Sequence, residues 1–130
     1  MTSRTVTVVF PAPKQEVFDY LADVEKLPEW ANEFARELKV VDGRTKVVNG
    51  LGEFFFEIRA DEETGVIDMY AGPSEDGLAL FPSRVVPLGE DASAFVFTMF
   101  QAPGQPDDLF DGQYESLKRE LANVERLFGG

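Results

Sequence analysis

Two polar side chains lie in apolar stretches of the sequence. Such positions would place them where a bound molecule could exchange a proton or an anionic group could be held. Tyr114 projects from the apolar stripe of a predicted C-terminal helix, so its hydroxyl is expected to be buried and to require a partner. Arg84 precedes Val85 and Val86 in an otherwise apolar strand. An inward Arg84 would hold a carboxylate or enolate oxygen, whereas an outward one would pair with a residue such as Asp68. We expect the outward orientation. Tyr114 and Arg84 are the two catalytic candidates.

The residue types that are missing restrict this chemistry. The chain of 130 residues contains no histidine and no cysteine. Their absence removes the commonest general base, the Ser-His and Cys-His nucleophile pairs, disulfides and nearly every transition-metal site. Tyrosine and arginine have reference pKa values far from neutrality. We therefore expect binding rather than proton chemistry, with no metal and no cofactor.

Other polar residues have simpler explanations than a functional site. Glu57 and Arg59 alternate with the inward face of a predicted strand, so we expect a solvated cross-strand ladder, with Tyr70 also on the outside. Asp107 and Asp108 could be mistaken for a metal-binding pair. An N-cap at Asp107 and acidic residues in the first helical turn explain both without a metal.

The length of the chain indicates one domain over residues 1–130, and the absence of a signal-peptide pattern makes the cytoplasm its expected location. A chain of this size buries roughly two-thirds of the surface that it exposes when unfolded. The net charge of −12 repels phosphate backbones and anionic lipid headgroups. No apolar run approaches the roughly 20 residues of a membrane-spanning helix, and residues 1–10 lack the pattern of a signal peptide. We expect neither nucleic-acid binding nor membrane insertion, and the oligomeric state stays open.

Hydrophobic periodicity predicts an α+β domain. Strands are predicted over residues 4–10, 38–41, 45–48, 53–60, 66–71, 78–86 and 93–100. Two short helices, over 13–22 and 23–34, follow the first strand, and Pro82 implies an edge position or a bulge in its strand. A long final helix begins after Asp107 and carries one apolar stripe formed by Phe110, Tyr114, Leu117, Leu121, Val124 and Phe128.

The order of these elements and three stretches of sequence resemble a known superfamily. Residues 10–24 (FPAPKQEVFDYLADV) and 27–30 (LPEW) resemble its opening helix and its "x-P-x-W" step. Residues 83–89 and 95–100, with the final helix, look like its remaining landmarks. The chain thus resembles the START-related superfamily, also called SRPBCC or the polyketide cyclase/dehydrase and lipid transport family. The resemblance implies the helix-grip fold, a curved antiparallel sheet of about six to seven strands around a long C-terminal helix, with a pocket between them.

Rings and methionines would line such a pocket. The chain contains 12 phenylalanines, and for any single ring an ordinary core is a slightly better explanation than a cavity wall. In similar proteins the region of Trp30 lies near the pocket mouth, although a plug at one end of the core is the better explanation for Trp30 and Phe34 taken singly. The resemblance favours the cavity for the group. The predicted ligand-binding residues are Trp30, Phe34, Phe54, Phe56, Ile58, Ile67, Met69, Phe81, Phe97, Met99, Phe110, Tyr114 and Leu117.

Three functions are compatible with this interpretation. The first is binding of a small hydrophobic or aromatic molecule without catalysis, in an unassigned physiological role. The second is a polyketide cyclase- or dehydratase-like enzyme, in which Tyr114 and Arg84 move a proton or hold an enolate. The third is a protein-interaction module whose interior is filled. Many apolar liners and few inward charges favour the first.

Overall fold

The computed structural model describes residues 1–129 and confirms an α+β architecture, with one antiparallel sheet of eight strands and a long C-terminal helix. The strands are β1 Ser3–Phe10, β2 Glu37–Val41, β3 Arg44–Asn49, β4 Gly52–Asp61, β5 Val66–Gly72, β6 Ala79–Phe81, β7 Ser83–Pro87 and β8 Ser93–Phe100. The helices are α1 Lys14–Leu21, a 3₁₀ turn Val24–Lys26, α2 Leu27–Trp30 and α3 Asp107–Leu127. Within the described residues, no helix has the length and apolar character needed to cross a membrane.

The sheet has the order β1-β8-β7-β5-β4-β3-β2, and β6 pairs with β5 beside this path. The predicted strand over 78–86 is divided at Pro82, because proline has no N–H to donate to a ladder. β6 ends at Phe81, while β7 begins at Ser83 and pairs with β8. The carbonyl of Pro82 still accepts a hydrogen bond of 3.0 Å from the N–H of Thr98. This division accounts for the eighth strand.

Turn residues act as the sequence predicts in the first hairpin but not at the start of α3. Asp42 and Gly43 join β2 to β3 with φ angles of 53° and 76°, which a tight primed turn requires. The prediction of an N-cap at Asp107 is wrong, because Pro106 occupies the cap position and Asp107 is the first helical residue. The Asp107 carboxylate instead accepts a hydrogen bond of 2.7 Å from the side chain of Gln101.

The predicted second short helix over 23–34 is also shorter than expected. Helical turns end at Trp30, and an irregular segment runs from there to the start of β2 at Glu37. The last turn of α3 packs on the first half of the chain. Phe128 lies edge-on to Phe10 and Tyr20, with ring centroids 5.7 and 5.6 Å apart. The helix is therefore fixed at its C-terminal end by an aromatic cluster.

The core lies between the inward face of the sheet and the helices. Side chains alternate across a strand, so every second residue faces the helices. The buried residues of the sheet's inward face include Val47, Phe56, Ile67, Met69, Val85, Phe95, Phe97 and Met99. From α3, Phe110, Leu117, Leu121 and Val124 are buried against them, as the apolar stripe predicts, whereas Tyr114 and Phe128 are half-buried.

Candidate ligand-binding site

Residues 31–36, which we call the bridging loop, are hydrogen-bonded to the sheet on one side. The side-chain amide of Asn49 donates a hydrogen bond of 2.8 Å to the carbonyl oxygen of Phe34. The ring of Phe34 lies edge-on to Phe56 of β4, with centroids 5.8 Å apart. The loop therefore places a half-buried aromatic side chain on the inward face of the sheet.

The other side of the bridging loop is held by a buried acid of α3. One carboxylate oxygen of Glu120 accepts the backbone N–H groups of Glu33, at 3.1 Å, and of Phe34, at 3.0 Å. The side chain is only 5% exposed. Burial raises the pKa of Glu120 to about 7, although the two N–H donors act in the opposite direction. Near neutral pH, the carboxyl group that holds the loop is thus partly protonated and partly ionised.

Exposed groups strengthen the same attachment. The guanidinium of Arg119 donates two hydrogen bonds, of 2.9 and 2.7 Å, to the carboxylate of Glu33, and Ser116 donates a third of 3.0 Å. The bonds from Arg119 lower the pKa of Glu33. Asn123 donates a hydrogen bond of 3.0 Å to the carbonyl of Trp30, where α2 ends. Three successive turns of α3 therefore hold the segment from Trp30 to Phe34.

A cleft of about 370 Å³ opens between β3, β4 and the end of α1. Its volume falls in the range of roughly 300–1,000 Å³ that is typical of small-molecule sites. Phe56 and Ile58, both in the predicted ligand-binding set, form part of its floor. We call it the Phe56 cleft. It is lined by Ala22, Val24, Gly43, Arg44, Thr45, Phe56, Glu57, Ile58 and Ala60.

Comparison with solved structures relates this arrangement to known folds, whereas no protein-family model and no curated protein matches the chain. An uncharacterised protein from Bacillus thuringiensis superimposes with a TM-score of 0.76 at 12% identity, covering 98% of each chain. The Zhui aromatase/cyclase from Streptomyces sp. R1128 has a TM-score of 0.66 at 19% identity, over 96% of this chain and 90% of that one. A START superfamily protein from Mycobacterium smegmatis gives 0.59 at 17%, over 96% and 97%.

The chain has the helix-grip fold of the START-related proteins. The likeness extends over nearly the whole chain, which confirms the fold inferred from residues 10–30 and from the final helix. Identities of 12 to 19% establish the fold and leave the function to the site itself.

In this helix-grip fold, the predicted ligand-binding residues all belong to one apolar cluster. The buried members are Trp30, Phe56, Ile67, Met69, Phe97, Met99, Phe110 and Leu117. The half-buried members are Phe34, Phe54, Ile58, Phe81 and Tyr114. The inward wall of the helix-grip sheet is therefore covered over most of its area, while five apolar side chains keep contact with solvent.

Of the two catalytic candidates, Arg84 lies outside this apolar cluster and Tyr114 is one of its half-buried members. Arg84 is exposed on the outer face, as expected, but its partner is the carbonyl of Thr64, 2.9 Å away, rather than Asp68. The expectation of a buried hydroxyl on Tyr114 is wrong, because this residue is half-buried and its hydroxyl reaches solvent. Its ring lies near the cations of Arg4, at 5.7 Å, and Lys118, at 4.7 Å.

The outward charges of β4 differ in detail from the predicted ladder. Glu57 and Arg59 form an ion pair of 3.1 Å along one strand, not across two. Arg59 also lies over the ring of Tyr70 on the neighbouring strand, 4.6 Å from its centroid. Tyr70 is therefore on the outer side of the sheet, as expected.

Glu120 and the bridging loop are the parts of the site that the sequence interpretation missed. Leu117, Glu120, Leu121 and Val124 follow helical spacing, so one acidic residue lies inside an apolar stripe. An acid at such a position is rarely buried without a partner. That pattern is the signal that could have identified Glu120, although not its partners in the loop.

Proposed function

We propose that this protein binds a small hydrophobic or aromatic molecule between the sheet and α3. The observation that carries the proposal is the incomplete burial of five inward-facing apolar side chains, Phe34, Phe54, Ile58, Phe81 and Tyr114. Covering such surface stabilises a complex by about 25 cal/mol per Å², before the costs of association are subtracted. An apolar ligand gains this free energy at the wall without losing the hydration of any charge of its own.

The Phe56 cleft and the bridging loop provide the route to this surface. The cleft reaches Phe56 from the side of β3 and β4, and Phe34 covers the same ring from the loop. Displacement of Phe34 would enlarge the accessible apolar wall without a change in the sheet. One protein of the same fold is an aromatase/cyclase, whose name is consistent with an aromatic ligand for this fold.

A fluorescence titration with the neutral probe N-phenyl-1-naphthylamine tests the proposal. We expect saturable binding by the wild-type protein. Ala60→Phe fills the Phe56 cleft from an exposed position and should weaken binding at least about five-fold, a loss of roughly 1 kcal/mol. Ala102→Phe adds the same ring on an exposed loop and serves as the matched control. Equal binding by all three proteins would place the probe elsewhere, and no binding by any of them would favour a filled interaction module.

A cyclase- or dehydratase-like activity has less support. Arg84 lies on the outer face, and Tyr114 lies at the edge of the apolar wall with its hydroxyl in solvent. Glu120 is buried, but its carboxylate already accepts two backbone N–H groups. Arg84, Tyr114 and Glu120 are thus all poorly placed to move a proton on a molecule bound at the wall.

The remaining elements of the proposal concern the whole chain. We propose that residues 1–130 act as one domain in the cytoplasm, without binding nucleic acid. The net charge of −12 supports the last point, because it opposes association with phosphate backbones.

A further inference from the structure

The buried polar side chains of this protein are few, and all but one have a partner. Ser83 and Ser93 each donate a hydroxyl to a backbone carbonyl, and Glu120 accepts two backbone N–H groups. The indole N–H of Trp30 is buried and has no acceptor anywhere in residues 1–129. Because buried donors are nearly always satisfied, the exception calls for an acceptor from outside the chain.

Trp30 is fixed inside the apolar cluster rather than at the surface. It ends α2, is 2% exposed, and belongs to the same apolar cluster as Phe56, Met69 and Leu117. Its carbonyl accepts a hydrogen bond from Asn123, so α3 holds the residue in position. A fixed N–H inside an apolar cluster can orient a bound molecule, because few other polar groups compete for its acceptor.

The surroundings also restrict the charge of that acceptor. No lysine or arginine is buried among the described residues, and the one buried charged side chain among them is the acid Glu120. A carboxylate or phosphate placed against the buried indole would lose its hydration without gaining a buried counter-ion, and the net charge of −12 would repel it at long range. A neutral oxygen, such as that of a ketone, ester or ether, avoids both penalties.

We infer that the ligand is a neutral, apolar molecule with a carbonyl or ether oxygen that accepts the indole N–H of Trp30. This inference rests on the proposed function and specifies the chemistry of its ligand. An internal water molecule is the other possible source of an acceptor. A ligand oxygen and a water molecule can be distinguished, because only a ligand oxygen makes the affinity of the ligand depend on the indole N–H.

A matched pair of probes tests the inference. 2-Acetylnaphthalene and 2-ethylnaphthalene share the ring system and differ in the carbonyl group. Trp30 is the only tryptophan, so biosynthetic replacement of tryptophan by β-(benzothiophen-3-yl)alanine removes this N–H and keeps the ring shape. We expect the replacement to reduce the preference for the ketone, measured as the ratio of the two dissociation constants, by about three- to ten-fold. Trp30→Phe also removes the N–H, but because it shrinks a buried ring system it serves only as a comparison for the effect of lost volume.

Nuclear magnetic resonance supplies the second readout. The single indole ¹⁵N–¹H peak should move downfield when the ketone binds and should move less with the hydrocarbon. An unchanged ratio of dissociation constants, with an indole peak that does not distinguish the two probes, would overturn the inference and identify water as the acceptor, while the proposed function would stand. Failure of both probes to bind the wild-type protein would overturn the proposed function together with the inference.

Discussion

Glu120 of α3 accepts a hydrogen bond of 3.0 Å from the backbone N–H of Phe34, a residue 86 positions earlier in the chain. The same residue, Phe34, contacts Phe56 on the sheet through its ring. One buried acid therefore contributes to where the bridging loop holds an aromatic side chain against the inward wall. This hydrogen bond therefore affects both the stability of the fold and access to the proposed site.

Removal of the Glu120 carboxyl group should detach the loop. Glu120→Ala leaves two N–H groups without their acceptor and should lower the free energy of unfolding by about 1–3 kcal/mol at pH 7. Glu120→Gln keeps an acceptor oxygen and should have a smaller effect. Urea denaturation measures both. Glu115→Gln, an exposed change on the same helix, is the control, and an equal effect of Glu115→Gln and Glu120→Ala would show that the buried bonds contribute nothing.

The pKa of Glu120 predicts a pH dependence of stability. Because this pKa is about 7 in the folded protein, above the ordinary value of 4.5, the folded state binds the proton more tightly than the unfolded state. The resulting contribution to stability is complete below about pH 4.5 and is lost as the pH rises through about 7. Nearby, Glu33 raises the pKa and Arg119 lowers it.

Denaturation curves between about pH 5 and pH 8 measure this contribution. The free energy of unfolding of the wild-type protein should fall across the interval, and Glu120→Gln should flatten the dependence because an amide does not titrate there. Parallel curves for the two proteins would assign the pH dependence to other groups.

Phe34→Ala should open the inward wall at a modest cost in stability. Phe34 is half-buried, so its loss should reduce the free energy of unfolding by less than the about 3–5 kcal/mol of a fully buried Phe→Ala change. Phe56→Ala, at a buried position, provides that comparison. Stopped-flow fluorescence with N-phenyl-1-naphthylamine should show faster association with Phe34→Ala. Slower or unchanged association would mean that the ring does not cover the route.

Local patterns predicted most of the fold because they act over short distances along the chain. Alternation in β8, the positive φ angles at Asp42 and Gly43, and the helical stripe from Phe110 to Val124 each depend on neighbouring residues. The likeness to the START-related superfamily added the prediction of a curved antiparallel sheet around the final helix. Neither the local patterns nor the likeness requires knowledge of a specific long-range contact in this chain.

The features that the sequence did not predict depend on contacts between distant segments. Pro82, which has no N–H to donate, divides a strand, and the part before it pairs with β5 while the part after it pairs mainly with β8. Glu120 is buried because residues 33 and 34 bring their N–H groups to it. Tyr114 is half-buried, with cations of β1 and α3 beside its ring. None of these arrangements follows from the period of a strand or a helix.

The location of a bound molecule tests the central claim most directly. The chain has three methionines, of which Met69 and Met99 are buried in the inward cluster and Met1 is exposed. Protein labelled with ¹³C at the methionine methyl groups would be saturated with 2-ethylnaphthalene, and intermolecular nuclear Overhauser effects would be recorded. We expect contacts from the probe to Met69 or Met99, and none to Met1. Contacts to Met1 alone, or no saturable binding, would contradict a ligand site between the sheet and α3.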